Sequence, residues 1–390
     1  MNRVLFHSLT IPPDQVSTGK LVADIASKFK EKNLNIEILA STPQYRFDSK
    51  KFSDEGLNKI GKNKYVSNYK DVKITHLSSS KRSFSRVKRF SQWINYHFKS
   101  IIYLTRKRKN FDTVFIFSYP PTMNLIAIFT KKLLKKKTIY SIWELYPEIA
   151  QKLNELNSNF LLNIFKKVDN FCLRTIDEVV VNSDEMKQYL IDARKIDSER
   201  ISVIYHFANE KESPKSSKIS KEIMYAGNLG TPQNVESFLD LFSKSEKQYK
   251  LTIYGSGSQF ESIATRESMN ISVNSFVSRD ELLEKTNHIP FALVSLSPKI
   301  TVEGFPGKTF DYLKMNKILI GFSNPKSSLA KFIEKYKLGI NISPNEDNLD
   351  SKLQTLEDKD YIDEIYKNIS EINNKFANVD EVADQYIKLI

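Results

Sequence analysis

The chain has 390 residues, 40% of them hydrophobic, so it is long enough to form two cores and too apolar to be disordered. Its single cysteine, Cys172, excludes an internal disulfide framework and is typical of a reducing compartment. There is no uninterrupted apolar run of about 18 residues, so no membrane-spanning helix is expected. The opening segment is too short for a signal peptide and is predicted to be a strand.

The net charge of +13 is concentrated in one part of the chain. Residues 1–210 contain 36 Lys and Arg against 21 Asp and Glu, a net charge of +15, whereas the remainder contains 23 against 25, a net charge of −2. Between Lys81 and Lys137 there are 15 basic residues and one acid, Asp112. Such a patch predicts an anionic partner, which could be a membrane surface, a nucleic acid or a polyphosphorylated ligand.

Strands and helices alternate along the first half of the chain. A first helix is predicted where Leu21, Ile25 and Phe29 recur at helical spacing, and a second over Phe84–Tyr103. A polar excursion separates the second and third strands, from Gln44 to Tyr69. The strands are predicted at Val4–Leu9, Ile36–Ala40, Val72–Leu77, Val114–Phe117, Thr138–Trp143, Glu178–Val181 and Ser202–Tyr205.

The alternation restarts after a Ser- and Lys-rich stretch, residues 209–221, which is predicted to be a linker. Strands are then predicted at Ile223–Ala226, Leu251–Tyr254, Ile271–Phe276, Phe291–Leu296, Ile318–Phe322 and Gly339–Ile342. Strands separated by helices indicate parallel sheets covered on both faces. We therefore predict an α/β protein with two doubly wound, Rossmann-like domains, residues 1–208 and 222–372, facing each other across a cleft. A C-terminal helix, residues 373–390, is predicted to cross back to the first domain.

Two candidate binding positions follow strands of the first domain. Gly19 ends the turn between the first strand and the first helix, where the absence of a side chain lets a ligand approach the backbone. Glu144 is the first polar group after a buried strand and could meet an acceptor hydroxyl. A purely structural turn and a helix-capping acid explain these two residues equally well.

Two glycine-rich turns follow strands of the second domain. Gly227 and Gly230 flank Asn228, so this turn can present N–H groups to a phosphate. Gly255 and Gly257 form a second, similar turn. Turns that need glycine for conformational reasons alone would look the same.

The segment from Thr301 to Leu313 carries the most concentrated chemistry. Pro306 and Gly307 open a predicted helix with Lys308 and Thr309 in its first turn, and the unpaired N–H groups of a helix start can hold phosphate. The acids Glu303 and Asp311 are eight residues apart around this point. The arrangement suits a sugar nucleotide, with the diphosphate at the helix end and an acid on either side. The alternative is a surface helix whose acids are solvated.

The five histidines, His7, His76, His97, His206 and His288, show no metal-binding spacing, and packing or solvation is predicted for all five. No P-loop and no nucleophile elbow is present in the sequence. We therefore predict neither a metal nor a cofactor.

The order of these motifs resembles bacterial family-four glycosyltransferases of the GT-B fold. The likeness is to the subgroup of amino-sugar or fucosamine transferases that assemble O-antigen and capsule. It rests on P-P-D-Q-V-S-T-G at Pro12–Gly19, W-E-L-Y-P-E at Trp143–Glu148, Y-A-G-N-L-G at Tyr225–Gly230 and F-P-G-K-T-F-D-Y-L at Phe305–Leu313. The four passages span the chain in family order.

The resemblance implies a role for each matching residue. Glu303 and Asp311 match paired acids that hold the donor sugar and the ribose, although the second is usually a glutamate. Gly307, Lys308 and Thr309 match the diphosphate-binding helix start. Asn228 and Gln233 stand where many relatives carry Arg and Lys, so Lys308 would have to compensate for two lost positive charges.

The implied activity is retaining, metal-independent transfer of a sugar from a nucleotide-diphosphate donor, expected to carry uracil. The donor's sugar–phosphate bond would break with help from Lys308, and the acceptor proton would pass to the departing phosphate or to Glu144. A polyprenyl-diphosphate-linked acceptor would explain the basic region 81–137 and a peripheral position on the inner face of the cell membrane. The amphipathic segment Phe84–Tyr103 would then lie among the headgroups, or else form a core helix with a basic outer face.

Two rival hypotheses belong beside this one. A sugar-nucleotide 2-epimerase of the same architecture would consume donor without any acceptor. A non-catalytic membrane or nucleic-acid binder would explain the charge, but nucleic-acid binding predicts exposed aromatic residues among the basic ones. In this sequence the aromatic residues fall at core periodicity, which argues against nucleic acid.

Overall fold

The computed structural model describes residues 2–14, 16–45, 56–83, 85–208, 220–345, 349–376 and 378–390. The chain divides into two compact units. The first unit comprises Met1–Pro147, Asn157–Tyr205 and Val379–Ile390, and the second comprises Glu148–Leu156 and His206–Asn378. Most of the predicted linker, residues 209–219, and residues 46–55 of the polar excursion lie outside the described residues.

In the described residues of the first unit, nine strands form one sheet in the order β3-β4-β5-β2-β1-β6-β7-β8-β9. Neighbouring strands from β5 to β9 are parallel, whereas the β3–β4 and β4–β5 pairs are antiparallel. The strands are β1 Arg3–His7, β2 Asn35–Ser41, β3 Asn58–Gly61, β4 Lys64–Tyr69, β5 Val72–Leu77, β6 Thr113–Phe117, β7 Lys137–Ile142, β8 Glu178–Val181 and β9 Ile201–Val203.

The described part of the second unit contains a six-stranded, fully parallel sheet in the order β12-β11-β10-β13-β14-β15. Its strands are β10 Glu222–Asn228, β11 Lys250–Ser256, β12 Ile271–Ser275, β13 Phe291–Ser295, β14 Ile318–Phe322 and β15 Gly339–Ile342. Strands β13 and β14 are buried along their whole length because helices cover the sheet.

The helices of the described residues follow the predicted alternation. They are α1 Ser17–Glu31, α2 Arg86–Arg106, α3 Met123–Lys132, α4 Glu148–Lys152, α5 Asn159–Thr175, α6 Asp184–Asp192, α7 Val235–Phe242, α8 Phe260–Ala264, α9 Arg279–Thr286, α10 Lys308–Lys314, α11 Ser328–Tyr336, α12 Leu349–Thr355, α13 Lys359–Lys375 and α14 Val379–Ile387. None of them has the length and apolar character required to cross a bilayer.

The helices of the first unit form two groups. Helix α3 packs against both α2 and α5, and helix α14 packs against α1. The C-terminal helix is held by ion pairs from Lys28 to Asp380 and from Lys32 to Asp384, at 3.1 and 2.6 Å. The ring of Tyr386 lies 5.8 Å from that of Phe115 in the sheet. The last residues of the chain are therefore part of the first unit's core.

The predicted α/β class with two Rossmann-like domains is confirmed, and the main differences lie in one segment. The polar excursion contains the antiparallel strands β3 and β4, which were not predicted. All four residues of β3 are exposed, so the segment has no apolar alternation to reveal it. The helix predicted to open at Pro306 begins at Lys308 and is only seven residues long.

Candidate functional site

The candidate site in the second unit lies at the carboxyl ends of the parallel strands, where doubly wound folds bind ligands. Strand β10 ends with Gly227 and Asn228, and the neighbouring β13 leads through the 296–307 segment to α10. The tyrosine hydroxyl of Tyr312, in α10, accepts from the Ala226 amide at 2.7 Å and donates to the Ala226 carbonyl at 3.0 Å. This pair of bonds holds α10 against the end of β10.

Lys308 reaches across the end of β10 into a space kept open by a glycine. Gly227 has φ of +141°, and a Cβ atom placed there would lie 2.9 Å from Nζ of Lys308. The same Nζ lies 3.8 Å from the ring centroid of Tyr225, a cation–π contact. Glycine at position 227 is therefore required both by its backbone conformation and by the path of Lys308.

The ammonium group of Lys308 is buried and has no hydrogen-bond partner among the described residues. Burial lowers the pKa of Lys308 to about 7, and the nearby charge of Asp311 opposes that shift. A buried cation without hydrogen bonds is energetically unfavourable, so a structure that retains one at a strand end is suited to receive an anion.

The start of α10 offers fewer free amides than a regular α-helix start, because two of them form tight bonds within the first turn. The amides of Thr309 and Phe310 already donate to the carbonyls of Pro306 and Gly307, both at 3.1 Å. The amides of Gly307 and Lys308 have no partner among the described residues, and a Cβ at Gly307 would meet nothing within 4 Å. The amide of Thr309 is used, but its buried side-chain hydroxyl has no hydrogen-bond partner among the described residues and is available to a ligand.

The two glycine-rich turns pack against each other. Gly255 and Gly257 lie directly against Leu229, whose amide donates to the Ser256 carbonyl at 2.9 Å. Asn228 donates its side-chain amide to Gln233 at 2.8 Å. The structure thus gives the second pair of glycines a packing role, which supports the first turn at Gly227.

Glu303 is buried in a small polar cluster just before α10. One carboxylate oxygen lies 2.8 Å from Nζ of Lys152, in α4. The other accepts from the amide of Thr301 at 2.8 Å and from its hydroxyl at 3.3 Å. Lys152 also donates to the Thr301 hydroxyl at 2.8 Å. Of the lone-pair sites on the carboxylate, these contacts leave about one for a ligand.

The two predicted residues of the first unit follow strands, Gly19 in the first turn of α1 and Glu144 in the loop after β7. Gly19 is buried in α1, and a Cβ there would press on the Thr10 backbone, so it serves close packing of the β1–α1 turn. Glu144 is exposed two residues beyond β7. Its neighbour Trp143 donates its backbone amide to the hydroxyl of Ser118 at 3.2 Å, which ties together the loops after β6 and β7.

The buried histidines are held in neutral form. Burial lowers the pKa of His7 to about 3, and those of His76, His97 and His206 to about 4. His7 contacts the Ser100 hydroxyl at 3.1 Å, and His97 contacts the Thr122 hydroxyl at 2.7 Å. His288, in contrast, is exposed beside Glu222.

Three residues of the site were missed by sequence reasoning. Lys152 precedes its partner Glu303 by 151 positions, and no pattern links the two. Tyr225 and Tyr312 were assigned to a strand and a helix without a role. A tyrosine one residue before a strand's terminal Ala-Gly pair is ordinary core sequence, so only the structure shows its contact with Lys308.

Solved structures of other proteins share this two-unit α/β fold. Sucrose-phosphate synthase from Thermosynechococcus elongatus superimposes with a TM-score of 0.75 at 12% sequence identity, covering 100% of this chain and 98% of that chain. HepE from Anabaena, solved in complex with UDP, gives 0.69 at 11%, covering 99% and 98%. The lipopolysaccharide outer core galactosyltransferase WaaB, in its apo form, gives 0.65 at 15%, covering 100% and 99%.

One family model matches part of the sequence. The stretch from residue 19 to residue 212, just under half of the chain, is similar to the family described as Glycosyltransferase Family 4. A comparison with curated protein sequences gives no significant match. The partial family match and the shared fold support the predicted family-four GT-B glycosyltransferase, whereas the amino-sugar subgroup stays a prediction.

The pair between Lys152 and Glu303 yields a stability prediction. Lys152→Met should lower the free energy of unfolding by about 1–3 kcal/mol, because a buried carboxylate loses its charged partner. Chemical denaturation would measure the change. The double variant Lys152→Met/Glu303→Gln should lose less than the sum of the single variants.

A matched control is available in the same unit. Lys285 forms an exposed pair with Glu281 at 3.3 Å, so Lys285→Met should change stability by no more than about 0.5 kcal/mol. Equal effects of Lys152→Met and Lys285→Met would contradict the assigned importance of the buried pair.

Proposed function

We propose that the chain is a retaining glycosyltransferase that moves a sugar from a UDP-linked donor to a membrane-held polysaccharide precursor. The observation that carries this proposal is the buried ammonium of Lys308, which has no hydrogen-bond partner among the described residues and lies at the end of a parallel strand. The UDP in the HepE structure supports the choice of nucleotide, since that protein shares the fold.

The diphosphate is proposed to bind at the start of α10. The side chain of Lys308, the amides of Gly307 and Lys308, and the hydroxyl of Thr309 supply donors that nothing described in the chain uses. Because α10 is only seven residues long, we assign most of the positive charge to Lys308 rather than to the helix dipole. The same group compensates for the neutral residues at positions 228 and 233.

The remaining donor contacts follow from the resemblance. We propose that Glu303 binds donor-sugar hydroxyls through its remaining lone pair, and that Lys152 keeps its carboxylate ionised and oriented. Asp311, half-buried one turn into α10, is proposed to bind the ribose. The packed glycines of the β11 turn are proposed to support this arrangement rather than to touch the donor.

The reaction breaks the bond between the anomeric carbon and the diphosphate oxygen and forms a bond from that carbon to the acceptor oxygen. Lys308 stabilises the negative charge that develops on the leaving diphosphate. The single acceptor proton passes either to the departing phosphate or to the exposed carboxylate of Glu144 in the first unit. No step in this scheme requires a metal.

The first test is donor turnover. Lys308→Met should reduce sugar transfer from UDP-sugars by about 100-fold or more, because the leaving group loses its cation. The control Lys331→Met removes an exposed lysine from the neighbouring helix α11 and should leave turnover unchanged. Turnover is measured as UDP release with and without a glycolipid acceptor.

Two results of this test would contradict parts of the proposal. Near wild-type turnover in Lys308→Met would remove the proposed role of the residue. UDP release that is the same without any acceptor would favour a sugar-nucleotide epimerase over a transferase.

The low pKa of Lys308 gives a second test. At pH 8 a lysine with a pKa of about 7 is only about one-tenth charged, and a bound diphosphate raises that pKa again. UDP binding at pH 8 should therefore take up about 0.9 proton, and affinity should fall as pH rises above 7. Calorimetry in buffers of different ionisation enthalpy measures the uptake. Lys308→Met should show almost none, and absence of uptake in the unmodified protein would count against the assignment.

A second part of the proposal concerns membrane docking by the first unit. Helix α2 exposes an apolar stripe, the α2 stripe, formed by Val87, Phe90, Ile94 and Phe98, with exposures of 44–80%. The opposite face of the helix, with Tyr96, Ser100 and Leu104, is buried. Helix α2 thus packs on the core through one face, and the apolar face that was predicted from the sequence is exposed.

Helix α5 exposes a second apolar surface that sequence reasoning did not predict. The α5 patch is formed by Phe160, Leu161, Ile164, Phe165 and Phe171. Because α3 packs against both α2 and α5, the stripe and the patch belong to one helical layer of the first unit. Exposed aromatic and aliphatic side chains beside basic ones are typical of a surface that enters lipid headgroups.

The charge of the same region favours an anionic membrane. The 15 basic residues between Lys81 and Lys137 include Lys88 and Arg89 on α2, and each basic group near an anionic surface contributes about 1 kcal/mol. We propose that the protein works as a peripheral protein on the inner face of the cell membrane, with a polyprenyl-diphosphate-linked glycan as acceptor.

Vesicle co-sedimentation tests the docking surface. The double variant Val87→Ser/Phe98→Ser should bind vesicles of phosphatidylethanolamine and phosphatidylglycerol about tenfold more weakly, because two apolar anchors are lost. Met269→Ser is the control, since Met269 is fully exposed in the second unit. Binding of the unmodified protein that ignores the phosphatidylglycerol content would contradict the proposal.

A further inference from the structure

A polar cavity of about 420 Å³ lies in the first unit between the end of β5 and helix α2. Three consecutive serines, Ser78–Ser80, line it from the strand end, and Gln92, Asn95 and Lys99 line it from the helix. Its volume falls within the range of about 300–1,000 Å³ that is typical of small-molecule sites. The cavity contains none of the residues assigned above to the donor.

The serine side of this cavity is held in place by hydrogen bonds to its surroundings. The amide of Ser79 donates to the hydroxyl of Thr42 at 2.9 Å, and the side chain of Gln44 donates to the hydroxyl of Ser79 at 3.2 Å. Gln92 donates to the hydroxyl of Ser80 and to the carbonyl of Lys81, both at 2.7 Å. These hydrogen bonds within the chain hold the serine side of the cavity in position without any contribution from a ligand.

Several polar groups of the cavity remain available. Lys99 donates to the carbonyl of Ser78 at 2.6 Å and to its hydroxyl at 3.0 Å, which leaves one of its three N–H groups. The side chains of Asn95 and Ser91, at the exposed rim, form no hydrogen bond with any residue the structure describes. Partial burial lowers the pKa of Lys99, so its charge is less solvated than that of a surface lysine.

The chemistry of these groups defines the ligand. Among the residues that the structure describes, Lys99 is the one charged side chain that lines the cavity, and it lies in a stretch with a single acid, so an anionic group is favoured. Hydroxyl and amide groups beside a lysine suit a ligand that combines a phosphate with several hydroxyls.

The cavity lies next to the α2 stripe on the same helix. Ser91 and Asn95 each follow a stripe residue, Phe90 and Ile94, by one position, so cavity rim and stripe are neighbouring faces of the same helix. A ligand anchored in lipid would thus reach the cavity with its polar head while the stripe contacts the headgroup layer.

We infer that this cavity binds the phosphate and first sugar of the lipid-linked acceptor. The inference rests on the proposed transferase function but concerns a different unit from the donor site. A phospholipid headgroup also combines phosphate and hydroxyls, and the test separates these two sources.

The test uses calorimetry with three soluble probes in the presence of saturating UDP. Glucose 1-phosphate should bind at least about fivefold more tightly than glycerol 3-phosphate or inorganic phosphate, because its ring hydroxyls engage Asn95 and Ser91. Equal binding of glucose 1-phosphate and glycerol 3-phosphate would overturn the saccharide assignment.

Variants locate the binding. Lys99→Gln should weaken binding of glucose 1-phosphate by about tenfold, whereas Arg106→Gln, which removes a charge from α2 outside the cavity, should not change it. Ser91→Phe, at the exposed rim, should block the cavity while far-UV circular dichroism shows an intact fold. Unchanged binding in both Lys99→Gln and Ser91→Phe would overturn the inference.

A failure of the proposed function would change a different measurement from a failure of the cavity inference. Titration of UDP alone reports the donor site in the second unit, and Lys99→Gln should leave the UDP affinity as it is. Absence of UDP binding by the unmodified protein would contradict the donor proposal. The probe titrations, repeated without UDP, would still show whether the cavity binds glucose 1-phosphate.

Discussion

The second unit is organised around a positive charge that is kept out of water. Nζ of Lys308 lies over the ring of Tyr225 and has no hydrogen-bond partner among the described residues. Burial of such a cation costs free energy, and the surrounding structure must hold it in place. Gly227 leaves room for it, and Tyr312 holds α10 against β10. The positive φ of Gly227 favours glycine there, and the same glycine accommodates the lysine side chain.

Glu303 is also a buried charged group, but unlike Lys308 it has partners within the chain. Its carboxylate is satisfied by Lys152 and Thr301, so its charge is paired before any ligand arrives. One acid and one base therefore lie in the same 301–308 segment with different electrostatic states. In the proposed function the paired acid accepts hydrogen bonds from hydroxyl groups, and the unpaired lysine binds phosphate. A sugar diphosphate would present these two kinds of group side by side, which is the reason for proposing such a donor at this segment.

Much of the fold could be predicted because some strands, such as Ile318–Phe322, are continuous apolar runs, and others, such as Val72–Leu77, carry several apolar residues among polar ones. Strands Val72–Leu77, Glu178–Val181 and Ile318–Phe322 were predicted with the bounds that the structure has. Strand β3 was missed because its residues are all exposed. The Lys152–Glu303 pair was missed because it joins distant segments, and the positions of Lys99 and Phe98 on different faces of α2 acquire meaning only when the neighbouring sheet is known. Residue types were predictable in the site, but their partners were not.

Helix α2 combines an exposed apolar stripe with basic residues. An exposed stripe of Val87, Phe90, Ile94 and Phe98 is a liability for a protein that stays in water, since it invites aggregation. Basic residues along the same helix reduce self-association by repulsion but do not remove the apolar surface. The proposed contact with an anionic bilayer would satisfy both features at once. It would also fix the rotation of the helix, so that the cavity on its adjoining face would open beside the headgroups rather than toward bulk water.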